Sequence, residues 1–178
     1  MAHHPHAEPD EPSSWVVRFA PFVPAGEPVL DVACGRGRHA RYFLSRGHPV
    51  VALDREVSGL SDLASDGRVE VIQADLEDGS TFPVAGRRFG GVVVTNYLYR
   101  PLFHRLVQAV GPGGAFIYET YARGHERFGH PANPAFHLRP GELVDVVWSR
   151  LRVIAYEDVV VEGDHPAAMQ RICAVREA

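Results

Sequence analysis

The sequence predicts an α/β fold built on a mostly parallel sheet, and three observations carry that reading. Short apolar runs alternate with helical segments along the chain. The first run ends in a glycine turn that opens a helix, and an acid closes the second. The last two runs are joined only by Glu162-Gly163-Asp164-His165-Pro166, a hairpin connection that places one antiparallel strand in the sheet.

Residues 1–12 hold three prolines and three acids and are expected to be a disordered tail, with 13–178 forming a single domain. Ser13 reads as the cap of a short helix over 13–20, whose apolar stripe includes Trp15, Val16 and Phe19. Strands are predicted near 29–33, 49–54, 69–73, 91–95 and 115–119, each aliphatic or β-branched and flanked by turn residues. Helices are expected over 38–46, 56–64, 101–110 and 140–149, with none between 74 and 90. Pro101 suits a first helical turn, and Gly111-Pro112-Gly113-Gly114 is expected to end that helix and turn the chain back into a strand. Two final strands fall near 151–161 and 169–175.

Composition removes whole classes of chemistry. The formal charge of −4 gives no general attraction to nucleic acid or to an anionic membrane. All 18 basic residues are arginine, so there is neither a Schiff-base lysine nor a P-loop lysine. Cys34 and Cys173 are the only thiols, too few for a disulfide framework or a zinc cluster. No apolar run suits a signal peptide or a membrane helix, which makes a cytoplasmic protein the default expectation. His3, His4 and His6 read as part of the tail.

The run Val29-Leu30-Asp31-Val32-Ala33-Cys34-Gly35-Arg36-Gly37-Arg38-His39-Ala40 carries most of the functional information. Gly35 and Gly37 can adopt positive φ and let a ligand lie against bare backbone, at a point where a helix presents free N–H groups. Asp54, 17 residues beyond Gly37, is placed to take a ribose diol. Gly35-x-Gly37-x-x-Ala40 also satisfies the dinucleotide fingerprint, so other residues must choose the nucleoside. Asp31 would set negative charge close to a pyrophosphate but would favour a cationic methionine group. Asp75, just after the third strand, is placed to reach an adenine amino group. Three acids at three successive strand ends fit a sulfonium nucleoside better than NAD.

Through Asp31-Val32-Ala33-Cys34-Gly35-Arg36-Gly37, Asp54-Arg55, Asp75-Leu76 and Gly111-Pro112-Gly113-Gly114, the chain resembles the class I S-adenosylmethionine-dependent methyltransferases. Arg38-His39 after the glycine turn is similar to the tellurite-resistance and thiopurine-like branch of that family. The resemblance covers about residues 25–119. It implies a Rossmann-like three-layer sandwich with a seven-stranded, mostly parallel sheet and an antiparallel C-terminal strand. It further implies S-adenosylmethionine as cofactor, with Asp31 near its methionine end and the backbone of Ala33, Cys34, Gly35 and Gly37 along it. Asp54 and Arg55 would lie at the ribose, Asp75 and Leu76 at the adenine, and Thr95 and Asn96 beside the reacting methyl. Ala33 departs from the family pattern, standing where glycine is common.

The acceptor is less legible. Thr95-Asn96-Tyr97-Leu98-Tyr99-Arg100 is not the Asn-Pro-Pro-Tyr arrangement of base-amino methyltransferases, and the Pro-Cys pair expected for attack on cytosine carbon is missing. Residues 120–139 crowd His, Arg, Glu and aromatic side chains into a long connection at the ligand-binding edge and are expected to form a substrate loop. Tyr97, His125 and Arg127 are the candidate catalytic or substrate residues, His125 as a general base. His125, Glu126 and His130 lack the helical spacing of a metal motif, so no metal is expected. Arg123, Arg127 and Arg139 would suit an anionic acceptor. The expectation is a methyltransferase acting on a small molecule. An RNA or protein methyltransferase and a non-catalytic S-adenosylmethionine-binding regulatory module are the alternatives. Oligomeric state is not legible.

Overall fold

The computed structural model describes residues 11–178, so most of the expected tail, with His3, His4 and His6, lies outside the described residues. Twelve helices and strands follow one another within it. They are α1 (Ser14–Phe19), β1 (Val29–Val32), α2 (Arg38–Ser45), β2 (Val50–Asp54), α3 (Ser61–Ala64) and β3 (Val69–Gln73). After these come β4 (Phe89–Thr95), α4 (Phe103–Ala109), β5 (Val110–Tyr121), α5 (Glu142–Val147), β6 (Arg152–Val161) and β7 (Ala167–Val175). The seven strands form one sheet in the order β3-β2-β1-β4-β5-β7-β6. All neighbours are parallel except β7, which runs antiparallel to both β5 and β6. The hairpin read from the sequence is therefore present.

The apolar runs work as strands because both faces of the sheet are covered. On one face Val29, Val50, Ala52, Val93, Ala115 and Ile117 pack under Trp15, Val16 and Phe19 of α1 and Ala40 and Phe43 of α2. On the other, Leu30, Val32, Val51, Leu53, Val92, Val94, Phe116 and Tyr118 pack under Leu106 and Val107 of α4 and Leu143 and Val147 of α5. The result is a three-layer sandwich. The chain leaves β1 toward β2 and later resumes at β4 on its other side, so the strand order reverses between β1 and β4. In open sheets of this kind that reversal opens a crevice at the carboxyl ends of the strands.

Several elements differ from the sequence expectation, each for a local reason. The segment 101–110 divides into a 3₁₀ turn over Arg100–Leu102, with Pro101 in its first turn, and α4. The segment 56–64 divides likewise at Leu60. Gly111-Pro112-Gly113-Gly114 does not precede the strand but bulges within it. Phe89 pairs with Val110 while Gly91 already pairs with Ala115. A Cβ at Gly114 would stand 2.8 Å from the Phe89 carbonyl oxygen, so this crossing needs glycine. Helix α5 is shorter than 140–149, because Gly141 enters it at φ 75° and Ser149 has turned to φ 61° just beyond it. Among the described residues no helix is long and apolar enough to cross a membrane.

Candidate functional site

The carboxyl ends of β1, β2, β3 and β4 bring the predicted residues together. Asp31 occupies the third position of β1, in register with Ala52 and Val93, and is 1% exposed. The chain then leaves the strand through Ala33 at φ 52°, Gly35 at φ 54° and Gly37 at φ 79°. Asn96 at the end of β4 is also left-handed, at φ 54°. Two non-glycine residues, one following β1 and one following β4, thus hold a conformation costing about 1 kcal/mol or more each. Such strain concentrates at functional sites.

Gly37 contributes more than a positive φ. A Cβ there would lie 2.7 Å from Leu60 Cδ2 and 2.8 Å from Leu63 Cδ1, so the turn packs directly against the α3 segment. Arg41, one turn into α2, fastens the same junction by a two-pronged bond to Asp62 at 2.6 and 3.0 Å. It also donates to the Arg36 and Gly59 carbonyl oxygens. Arg41 is therefore a structural tie rather than part of an open basic patch.

Asp54 ends β2 and holds the turn from the side. Its Oδ2 accepts the Gly35 backbone N–H at 2.8 Å, and its Oδ1 accepts the Glu56 backbone N–H at 2.9 Å. A second tie joins the same strands where the Cys34 N–H donates to the Leu53 carbonyl oxygen at 3.1 Å. Beyond Asp54 a cleft of about 760 Å³ is lined by Arg55, Glu56, Gln73, Ala74, Asp75 and Asp78. Gln73 braces its floor by donating to the Arg55 carbonyl oxygen at 3.0 Å, and Asp75 accepts the Glu77 backbone N–H at 2.9 Å. Leu76 packs beside it on the α4/α5 side of the core.

The three candidate catalytic residues do not converge. Tyr97 is half-buried against the α4/α5-side core, and its carbonyl oxygen accepts the Tyr118 hydroxyl at 2.6 Å. Burial, with the Glu77 and Asp75 carboxylates beside it, raises the Tyr97 phenol above its ordinary range, so it is a neutral hydrogen-bonding group next to the cleft. His125 is 4% exposed, stacked on Tyr121 at 4.0 Å, with Nε2 bonded to the His130 carbonyl oxygen at 3.0 Å. Arg127 turns back on its own loop, donating to the Gly124 carbonyl oxygen at 3.1 Å and lying over the Phe128 ring.

Residues 120–139 form a knitted structure rather than a bare connection. Leu138 donates to the Tyr121 carbonyl oxygen, Arg123 donates to the Leu138 carbonyl oxygen, and His125 and His137 meet edge to face at 5.7 Å. Arg100 pins the returning limb. Its guanidinium forks onto Glu142 at 2.7 and 3.0 Å and donates to the Ala135 and His137 carbonyl oxygens at 2.8 and 2.9 Å. This brace joins residues far apart in sequence, and nothing in either segment alone signals it.

Sequence reasoning used His39 only as part of the Arg38-His39 resemblance, and it gave neither His39 nor Glu119 a role in the site. His39, in the first turn of α2, is 2% exposed; its Nε2 accepts the Ser13 backbone N–H at 3.1 Å and its Nδ1 faces Thr95 Oγ1 at 3.5 Å. Burial, reinforced by the Arg38 charge, depresses His39 to about 3, so the ring is neutral. Glu119, at the end of β5, accepts the Asn96 backbone N–H through its carbonyl oxygen at 3.0 Å. Its carboxyl, raised by burial, lies 3.8 Å from Arg171. The signal for His39 was its position directly after the glycine turn.

Residues 29–114 match the methyltransferase domain family. The matched segment, a little under half of the chain, is similar to a methyltransferase domain. Over 108 residues it is 35% identical to the tRNA U34 carboxymethyltransferase of Methylococcus capsulatus, a match covering 54% of this chain and 32% of that protein. The methyltransferase fold aligns with TehB from Haemophilus influenzae at a TM-score of 0.73 and 17% identity, covering 92% of this chain and 61% of TehB. It also aligns with the 1,6-didemethyltoxoflavin-N1-methyltransferase of Burkholderia thailandensis, whose structure holds 1,6-didemethyltoxoflavin and S-adenosylhomocysteine. That alignment has a TM-score of 0.69 and 20% identity and covers 92% of this chain and 77% of the other. The chain thus spans about a third of the curated relative and under two thirds of TehB.

Proposed function

We propose that the chain is a methyltransferase that binds S-adenosylmethionine across the carboxyl ends of β1 to β4 and methylates a small-molecule acceptor. The observation that carries this reading is the Asp54 carboxylate, held to the Gly35 N–H at the edge of an open, acid-rimmed cleft. Each Asp54 oxygen spends one lone pair on a backbone N–H and keeps another for a ribose hydroxyl, so the donor set fits a nucleoside diol. Arg55 lines the same cleft, where Asp75 and Leu76 would frame the adenine. Asp31 would face the cationic methionine end, with Ala33, Cys34, Gly35 and Gly37 presenting backbone and Thr95 and Asn96 closing the methyl end. When bound, S-adenosylmethionine supplies an electrophilic methyl group on a sulfonium. The chain's own part is alignment, since an in-line displacement needs orientation more than acid–base groups.

The structurally matched methyltransferase from Burkholderia, whose structure contains a small heterocycle, supports a small-molecule acceptor. The internal bonds of His125 and Arg127 argue for a loop that shapes the acceptor side rather than one that supplies the base. A second reading, an RNA acceptor, is favoured by the sequence match to a tRNA-modifying enzyme. The test is calorimetric titration with S-adenosylhomocysteine and NAD, followed by transfer of radiolabelled methyl to bulk tRNA and to a panel of thiols, amines, carboxylates and chalcogen oxyanions. Binding of the homocysteine compound with labelling of a small molecule is expected. Tighter binding of NAD overturns the cofactor assignment, and labelling of tRNA alone overturns the acceptor class.

A further inference from the structure

His39 makes two contacts that the proposed reaction does not require, and they point in opposite directions. Its Nε2 accepts a backbone N–H from Ser13, the residue that caps α1. An imidazole accepting at Nε2 in its neutral form carries its proton at Nδ1, so the second nitrogen donates toward Thr95 Oγ1. Next to it, Arg38 donates to the Glu11 carbonyl oxygen at 3.3 Å. Two consecutive residues of the first turn of α2 thus hold two points of the chain entering α1, and one of them also reaches the end of β4.

The position of His39 gives these bonds a consequence. Gly37 is the cap from which helix α2 starts, so any ligand that orders the glycine turn also fixes the first turn of α2. We infer that His39 is a positioning residue that fastens the N-terminal segment to Thr95, so that cofactor binding at the glycine turn and docking of Glu11–Phe19 strengthen each other. This rests on the proposed function for the identity of the ligand, but the fastening itself does not. Coupling between two binding events is reciprocal, so whatever loosens the segment must weaken the ligand by the same factor.

Ser13 allows a clean test because its φ of −55° suits proline. Ser13→Ala keeps the N–H that His39 accepts and loses the capping hydroxyl, whereas Ser13→Pro loses both. The difference between the two isolates the His39 bond without touching the interior. His39→Ala, checked for a native circular dichroism spectrum, provides the second route. In the full chain, S-adenosylhomocysteine should slow amide exchange over residues 15–19. Ser13→Pro and His39→Ala should each bind S-adenosylhomocysteine about fivefold more weakly than Ser13→Ala, the loss of roughly one hydrogen bond. The protection of residues 15–19 by ligand should be lost in both. Equal affinity in Ser13→Ala and Ser13→Pro, with exchange unchanged, overturns the coupling while leaving the cofactor assignment standing. Absence of S-adenosylhomocysteine binding in the wild-type chain overturns the cofactor assignment and the coupling with it. Faster exchange of residues 15–19 in ligand-free His39→Ala supports the fastening in either case.

Discussion

The Asp54 carboxylate holds the Gly35 backbone N–H at 2.8 Å, so the acid proposed to bind ribose is also the group that shapes the turn beside it. A structural duty and a ligand duty share one side chain. Its replacement should therefore be felt before any ligand is added.

Asp54→Ala removes charged acceptors from two backbone donors, Gly35 and Glu56. Hydrogen bonds to charged groups contribute about 1.5–3 kcal/mol each, less where water can replace the partner. The expected outcome is a fall in stability of about 2 kcal/mol in urea denaturation, together with a tenfold or greater loss of S-adenosylhomocysteine affinity. Asp54→Asn, which keeps one acceptor oxygen, should fall between the two.

Gly37→Ala combines a left-handed φ with a Cβ pressed onto Leu60 and Leu63. Strain of about 1–2 kcal/mol and overpacking of about 1–3 kcal/mol act together. A destabilisation of about 3 kcal/mol is expected. Adding Leu63→Ala should relieve part of the crowding, and a double-mutant cycle would measure how much.

The depressed value of His39 makes stability depend on pH. The unfolded ring protonates near 6.5 while the folded ring stays neutral down to about 3. The unfolded state therefore binds the extra proton across that interval, so the contribution is intact above about 6.5 and is lost as pH falls toward 3. Between pH 6 and pH 5 the wild-type chain should lose up to about 1.4 kcal/mol more per pH unit than His39→Ala. Equal slopes in the two proteins would mean that the ring titrates normally in the fold.

Arg100 is the brace of the 120–139 loop, and Glu142 beneath it is buried with a side chain 4% exposed. Arg100→Ala should cost about 2 kcal/mol or more, because it leaves that carboxylate without its fork and frees two carbonyl oxygens. Arg100→Lys should recover little of this, since a point ammonium cannot span Glu142 and the loop carbonyls together. Hydrogen exchange over residues 131–139 is the direct measurement.

The sheet was legible because its strands are buried on both faces and so appear as unbroken aliphatic runs. Six of the seven predicted strands lie within about two residues of their structural limits at both ends, and the seventh, 115–119, lies inside the longer β5. Asp31, Asp54 and Asp75 were legible too, since an acid ending an apolar run is conspicuous. Helix limits were harder: left-handed Gly141 and Ser149 bound α5, Pro101 opens a 3₁₀ turn ahead of α4, and the segment 56–64 divides at Leu60, and such local breaks compete with a periodicity that runs through them.

By itself the sequence determined the alternation of strand and helix, the antiparallel ending, the glycine turn and the ring of acids at the strand ends. Each of these is written in residues adjacent or nearly adjacent in the chain. Tertiary structure decided what the polar side chains do once the chain has closed. It set Ser13 on His39, 26 residues apart, Arg100 on Glu142, 42 apart, and turned Arg127 and His125 into their own loop. The physical reason is that apolar burial is non-directional and can be read from pattern. A hydrogen bond needs its two partners placed within a few tenths of an ångström, and only the folded chain places them.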